Sequence, residues 1–404
     1  MPSRLSKRAT VACVGNAFMA IALASTLSCE LTHTSAIEAI AERGLAEDLD
    51  AGRDAAAAPA PTDDRDAATA VRSDAAPPDA GQAGVGGGAL FVPVKDRVDV
   101  VHDARRGIVY VSTRHGEVLE YDLEAQAVVR SIQVGGQLSG LDLSPNGDLL
   151  LVADRDVDRE RRISHLHIVD LRARTVESLA IDTADTEFGT FNGVFLDDAR
   201  ALVACSGYGS TDLRLVQLDD GTVQTLMPVR VRTGPHTALT MSADRSTVAF
   251  AADGSSAGDF GRYDVATAEF ETAMANGFVY DIAISPDATR LVVLKQGDAL
   301  FFDGSLRPAG VIERRSDLRQ PRIAGVAWSP VANRVYLAST GEGVSTIEEI
   351  DADSLSRVQF IDTQHPFKWH GNHPFESGRL RTSRDGRILL ATVDGGIVIY
   401  RLEP

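Results

Sequence analysis

Leu141-Asp142-Leu143-Ser144-Pro145-Asn146-Gly147-Asp148-Leu149-Leu150-Leu151-Val152-Ala153 reads as a strand, a tight turn and a second, strongly apolar strand. Ser, Pro, Asn and Gly together supply the backbone geometry of a short hairpin. Downstream, Leu166-His167-Ile168-Val169-Asp170 reads as a third strand with Asp at its end, and Thr175-Val176-Glu177-Ser178-Leu179 as a fourth. Outward from this unit the same order repeats. Equivalent turns stand at His102-Asp103, Leu196-Asp197-Asp198, Ser242-Ala243-Asp244, Ser285-Pro286-Asp287, Ser329-Pro330 and Ser383-Arg384-Asp385-Gly386. An apolar strand follows each of them: residues 108–111, 201–205, 247–251, 291–294, 335–338 and 388–392.

Seven units therefore fill residues 89–404 at roughly 45 residues each, the span of a four-stranded propeller blade. The last unit supplies only three strands before the chain stops at Pro404, and residues 89–94 form an orphan strand ahead of the first unit. Pairing the two would close a ring and remove an exposed sheet edge. Pro93 is tolerated there because the strand is outermost. The expected fold is all-β, a seven-bladed β-propeller. A β-solenoid, the competing architecture, would have shorter repeats and no exchange between the ends.

The unit from Tyr121-Asp122-Leu123 through Gly135, Gly140 and Ser144-Pro145-Asn146-Gly147 to Val152-Ala153 resembles the YVTN-type propeller repeat, which is similar to lactonase-like and quinoprotein-like propellers. Asp154 and Ser112 stand where that motif carries an asparagine at the end of its second strand. The resemblance covers most of residues 97–404. It implies the fold and an envelope setting, and it transfers no catalytic residue.

Ahead of the repeats lie three segments of different character. Arg4, Lys7 and Arg8 precede an uncharged run from Ala9 to Ser28, the basic and apolar regions of an export signal. Ser28-Cys29 resembles the end of a bacterial lipoprotein signal, which implies lipidation of Cys29, although Thr26 stands where that pattern carries an aliphatic residue. Ordinary cleavage and an uncleaved membrane helix are the alternatives, and all three export the rest of the chain. The expected domains are thus an export signal at 1–28, an arm at 29–88 and the propeller at 89–404. Residues 30–50 carry a weak amphipathic pattern. Residues 51–88 are almost entirely Ala, Asp, Pro, Gly, Arg and Ser, which cannot bury enough apolar surface to offset ordering entropy, so a flexible linker is expected.

The formal net charge of −17 argues against nucleic-acid partners, which need a basic footprint. Cys13, Cys29 and Cys205 offer no disulfide framework, and Cys205 lies in an apolar run as a small hydrophobe.

Function is expected on the loops that join strand four to the next strand one and strand two to strand three. Residues 364–375 form the longest linker between units and contain His365, Trp369, His370 and His373. Three imidazoles supply the donors for Zn²⁺ or Cu²⁺; the alternatives are ligand contact and an aromatic plug over the channel mouth. Otherwise no cofactor is expected. Asp154-Arg155-Asp156-Val157-Asp158-Arg159-Glu160 alternates carboxylates as a calcium loop does, but no glycine follows and the arginines neutralise it, so a solvated loop is expected. His115, Tyr208, Asp212, His236, Arg322 and Asp394 are further channel-side polar candidates. The sequence contains no nucleophile elbow, Gly-rich phosphate loop or haem motif. The leading expectation is a non-enzymatic, exported binding or scaffold module. Its partner would be an envelope protein, a glycan or a small molecule, and its membrane attachment an N-terminal lipid. The alternative is a lactonase-like or metal-dependent hydrolase using the channel-face histidines and carboxylates.

Overall fold

The computed structural model describes residues 89–402 except 208–210, 227–235, 254–257, 296, 314–321, 342–343, 368–374 and 376–377. The export signal, Cys29 and the arm lie outside these residues, as do Tyr208, Trp369, His370 and His373. No helix occurs among the described residues, which form 28 strands from β1 (Leu90–Pro93) to β28 (Gly396–Arg401). Strands pair antiparallel with their sequence neighbours in groups of four: residues 97–133, 138–182, 187–226, 236–274, 279–312 and 322–362. The third and fourth groups are joined into one sheet through the single pair Ser206–His236. In the last sheet β1 lies beside β28, with Leu90 opposite Ile399 and Pro93 opposite Gly396.

The hairpin turn is held by its serine. The Ser144 backbone N–H donates to the Leu149 carbonyl, and Ser144 Oγ accepts the Leu149 N–H at 2.9 Å and donates to Asn146 Oδ1 at 2.8 Å. Ser285 Oγ accepts the Arg290 N–H at 2.9 Å and donates to Asp287 at 2.7 Å. Ser242 and Ser383 repeat this with Asp244 and Asp385. Gly147 closes its turn at φ 70°, a conformation that favours glycine.

The strand after each turn is apolar throughout because both sheet faces are covered. Along residues 149–153, Leu150 and Val152 pack towards Val118 and Ile132 of the first sheet, while Leu151 packs towards Phe195 and Val203 of the third. Successive side chains point to opposite faces, so a sheet buried on both sides loses the polar alternation of a half-exposed one. The same packing links each sheet to the next. Val100, Val109 and Val111 of the first sheet then meet Ile388, Leu390, Ile397 and Ile399 of the last, with Val92 and Val94 between them.

The first strands contact one another in chain order: β2 (Arg97–Asp103), β6 (Leu138–Leu143), β10 (Glu187–Phe195), β14 (His236–Met241), β18 (Val279–Ile284), β22 (Arg322–Trp328) and β26 (Leu380–Thr382). The last of these touches β2 again.

Candidate functional site

A cavity of about 330 Å³ lies between the turn-proximal ends of the first strands. Each first strand contributes the residue two positions before its turn. Asp142, Thr240 and Arg381 are polar, and Val101, Val194, Ala283 and Ala327 are apolar. Period-two alternation along a strand explains why this register, set by the turn, points inward.

Beneath it sits a buried charge network. Arg379 is 2% exposed, and its guanidinium donates to Asp281 Oδ1 at 2.7 Å and lies 3.7 Å from Asp99 Oδ1. Arg381 donates to Asp99 Oδ2 and to the Leu141 carbonyl, both at 2.8 Å. Each carboxylate also takes a backbone N–H from a neighbouring sheet: Leu141 to Asp99 at 2.9 Å and Val326 to Asp281 at 3.1 Å. Burial alone would raise the Asp99 carboxyl, but Arg381 and Arg379 outweigh it and hold it below the usual carboxylate range. At Asp281 burial wins over Arg379, and its carboxyl sits above that range. Behind Arg379 the channel is filled by Phe191, Phe375 and Val98. The two phenylalanine rings lie 4.8 Å apart, and the Arg379 guanidinium is 5.2 Å from the Phe375 ring. The cavity is therefore floored at this end by ion pairs and aromatic rings.

Nearer the turns, Arg384 donates to the carbonyls of Leu143, Ser144 and Pro145. Arg245 donates to those of Phe195 and Leu196. Burial holds the Arg245 guanidinium below its usual range; Asp142 opposes this and the like charge of Arg384 adds to it. Among the described residues neither arginine has a carboxylate partner within 4 Å. Asp142 accepts the Phe195 N–H at 2.8 Å.

Three buried groups at the cavity lack hydrogen-bond partners: both ring nitrogens of His102, Trp328 Nε1 and Arg379 Nε. Burial pushes the His102 imidazole below its usual value, which keeps it neutral at neutral pH. An orphaned buried polar group costs about 1–3 kcal/mol.

The residues singled out from sequence lie elsewhere. His115 is exposed, with Nε2 2.7 Å from Asp96 Oδ2. His236 opens β14 and packs on Phe191 at 4.9 Å. His365 stacks on Phe91 at 3.9 Å. Arg322 begins β22 opposite Thr340, and the Asp394 N–H donates to the Pro366 carbonyl. Asp212 is half-buried, and its carbonyl accepts from Arg214 at 3.1 Å. His115, His236, His365, Asp212 and Asp394 do not line the cavity. Among the described residues no group of three or more His, Cys, Asp or Glu is placed to hold a metal ion.

In the acidic loop the carboxylates cap their own backbone, Asp158 accepting from Glu160 and Arg161. Asp154 accepts the N–H groups of Gly136, Gln137 and Asp156 and pairs with His167 Nε2 at 3.1 Å, while His167 Nδ1 meets Ser178 Oγ at 2.8 Å. This Ser-His-Asp row pins the loop between the first two sheets. Its serine stands on the exposed face of an outermost strand.

No family model and no curated protein matches the chain. Solved structures similar to it include the β-propeller domain of Cps50 (Swd1) from Myceliophteria thermophila, at 14% identity and TM-score 0.59, covering 78% of this chain and 100% of that one. Hydrazine synthase from Kuenenia stuttgartiensis is similar at 16% identity and TM-score 0.58, covering 75% and 94%. At these identities the likeness is one of fold, and the fold is a β-propeller.

Proposed function

We propose that this chain is an exported binding module of the bacterial cell envelope, a closed seven-bladed propeller carried on a flexible arm from a lipidated Cys29. The ring is supported by the repeat count, by the β1–β28 pairing and by the packing of the last sheet on the first. Export and lipidation rest on Arg4, Lys7, Arg8, the apolar run and Ser28-Cys29. The YVTN-type repeat agrees with that setting.

The observation that carries binding is the cavity lined by Arg245 and Arg384, two guanidiniums held by backbone carbonyls, across from apolar residues of the fifth and sixth sheets. The cavity stands at the end where the hairpin turns lie, and we take it as a ligand seat beside the loop face expected from sequence. A cavity of this size is at the small end of ligand pockets and suits a small molecule better than a protein segment or glycan chain. For the hydrolase alternative the cavity supplies no hydroxyl bonded to His102.

Thermal shift of the purified full chain against fractions of an envelope small-molecule extract tests the binding reading. At least one fraction should raise the melting temperature. No stabilising fraction, together with turnover of a simple lactone, would overturn it. Lipid attachment is tested separately: Cys29→Ser should release the chain from membranes and abolish fatty-acid labelling.

A further inference from the structure

We propose that the cavity takes a small organic monocarboxylate with an apolar body, an inference that deepens the binding-module reading and rests on it. The wall is chemically divided. Beside Asp142 and Thr240, the cationic part is built by Arg245, Arg381 and Arg384; the strands of the fifth and sixth sheets contribute Ala283, Ile284, Val326, Ala327 and Trp328, which are apolar apart from the indole N–H. An all-polar solute would leave the second half wetted without partners, and a hydrocarbon would strand the guanidiniums.

The charge count narrows the class. Arg381 is neutralised by Asp99 and Arg379 by Asp281. Arg245 and Arg384 remain, against the single carboxylate of Asp142. The turn carboxylates Asp244, Asp287 and Asp385 stand outside the lining, as do Asp197 and Asp198, which act on Arg245 from a distance. On the cavity wall itself one positive charge is left over, which suits a monoanion. Both surplus arginines are already held by backbone carbonyls, so their planes are fixed before a ligand arrives. Guanidiniums fixed in this way suit the two oxygens of a carboxylate. Trp328 lines the apolar half, and its indole has the Arg290 guanidinium 5.3 Å from its ring.

The test uses full-length protein. Tryptophans number two, Trp328 and Trp369, so Trp369→Phe leaves Trp328 as the sole reporter at the cavity. Benzoate is titrated against its emission, with benzamide as the neutral isostere and acetate and inorganic phosphate as charge without body. The expected result is saturable binding of benzoate, with the other three at least about tenfold weaker. Arg384→Gln should weaken benzoate by a similar factor and leave benzamide unchanged. Ala327→Phe should fill the apolar half and abolish binding; if Arg384→Gln does not fold, Arg245→Gln replaces it. Equal affinity for benzoate and benzamide refutes the charge argument, and phosphate binding as tightly as benzoate refutes the apolar one. No saturable response from any probe in folded protein refutes both. If that happens while an extract fraction still stabilises the chain, the monocarboxylate class falls and the binding reading stands.

Discussion

Replacing Arg379 by methionine would remove the cation at the centre of the buried network while keeping much of its volume. Asp281 would then lie fully buried with its 2.7 Å partner gone, and Asp99 would keep only Arg381. Breaking a buried pair by removing one partner costs about 3–5 kcal/mol, because the remaining charge has neither water nor counter-ion. For a domain of roughly 300 residues this lowers the melting temperature by about 5–8 °C. The deficit should depend on pH, and its sign follows from Asp281. Burial already raises its carboxyl above the usual range with Arg379 present, and removing Arg379 raises it further. The folded variant then binds a proton that the unfolded chain does not, across the window between the unfolded and folded values. Stability within that window falls as pH rises, so the deficit should be largest at neutral pH and shrink on acidification. Adding Asp281→Asn removes the orphaned charge and should recover most of the loss. Denaturant unfolding of wild type, single and double variants at pH 7.5 and 5.5 measures each quantity. A single variant with wild-type stability, or a double variant no better than the single, would show that the carboxylate is not isolated and the network was misread.

Asp154 should give wild-type stability an acid-side slope. Burial would raise its carboxyl, but His167 and the three N–H groups hold it at about 2. A depressed carboxylate contributes stability above its unfolded value near 4 and loses it as pH falls towards 2, about 2 kcal/mol in all. Denaturant midpoints between pH 5 and 2 should show this slope, and Asp154→Ala should flatten it. Deleting residues 89–94 removes Val92 and Val94 from the packing between the last sheet and the first and bares the edge of β28. At about 1.5–3 kcal/mol per aliphatic side chain the loss is several kcal/mol, and the bared edge should add self-association, read by calorimetry and light scattering. Gly325→Ala would place a Cβ 1.9 Å from the Gly378 carbonyl oxygen, backbone against backbone, and should cost about 1–3 kcal/mol in denaturant unfolding.

The repeat was legible because what defines it is local. A turn serine bonds residues two and five positions on, so Ser144-Pro145-Asn146-Gly147 carries its own hairpin in sequence. Strands covered on both faces advertise themselves as unbroken apolar runs. The cavity was not legible, because no two of its inward residues are neighbours. Arg381 and Asp99 are 282 positions apart, and only the meeting of the last sheet with the first brings them together. The loop candidates His115, His236 and His365 meet Asp96, Phe191 and Phe91 respectively. A signal was nevertheless present. With the units aligned on their turns, Asp142 and Arg381 fall two positions before the turn, where Val101, Val194, Ala283 and Ala327 stand in other units. Charge at a register filled elsewhere by Thr240 and apolar residues is the mark that separates a lined channel from a packed one.

That contrast also bears on why the charges exist. At the turn-proximal register β18 and β22 line the cavity with Ala283 and Ala327, which pack in the cores of the fifth and sixth sheets without a charge. Replacing a buried ion pair with well-packed apolar groups is often neutral or stabilising, so the network is not explained as a stabilising device. The ion pairs lie at one end of the cavity, and Arg245 and Arg384 line it while donating to carbonyls of the third and second sheets. Ion pairs below fix the positions of Arg379 and Arg381, and backbone carbonyls fix those of Arg245 and Arg384. A cluster that gives up stability to hold donors in fixed positions around a cavity matches the preorganisation that binding an anion requires.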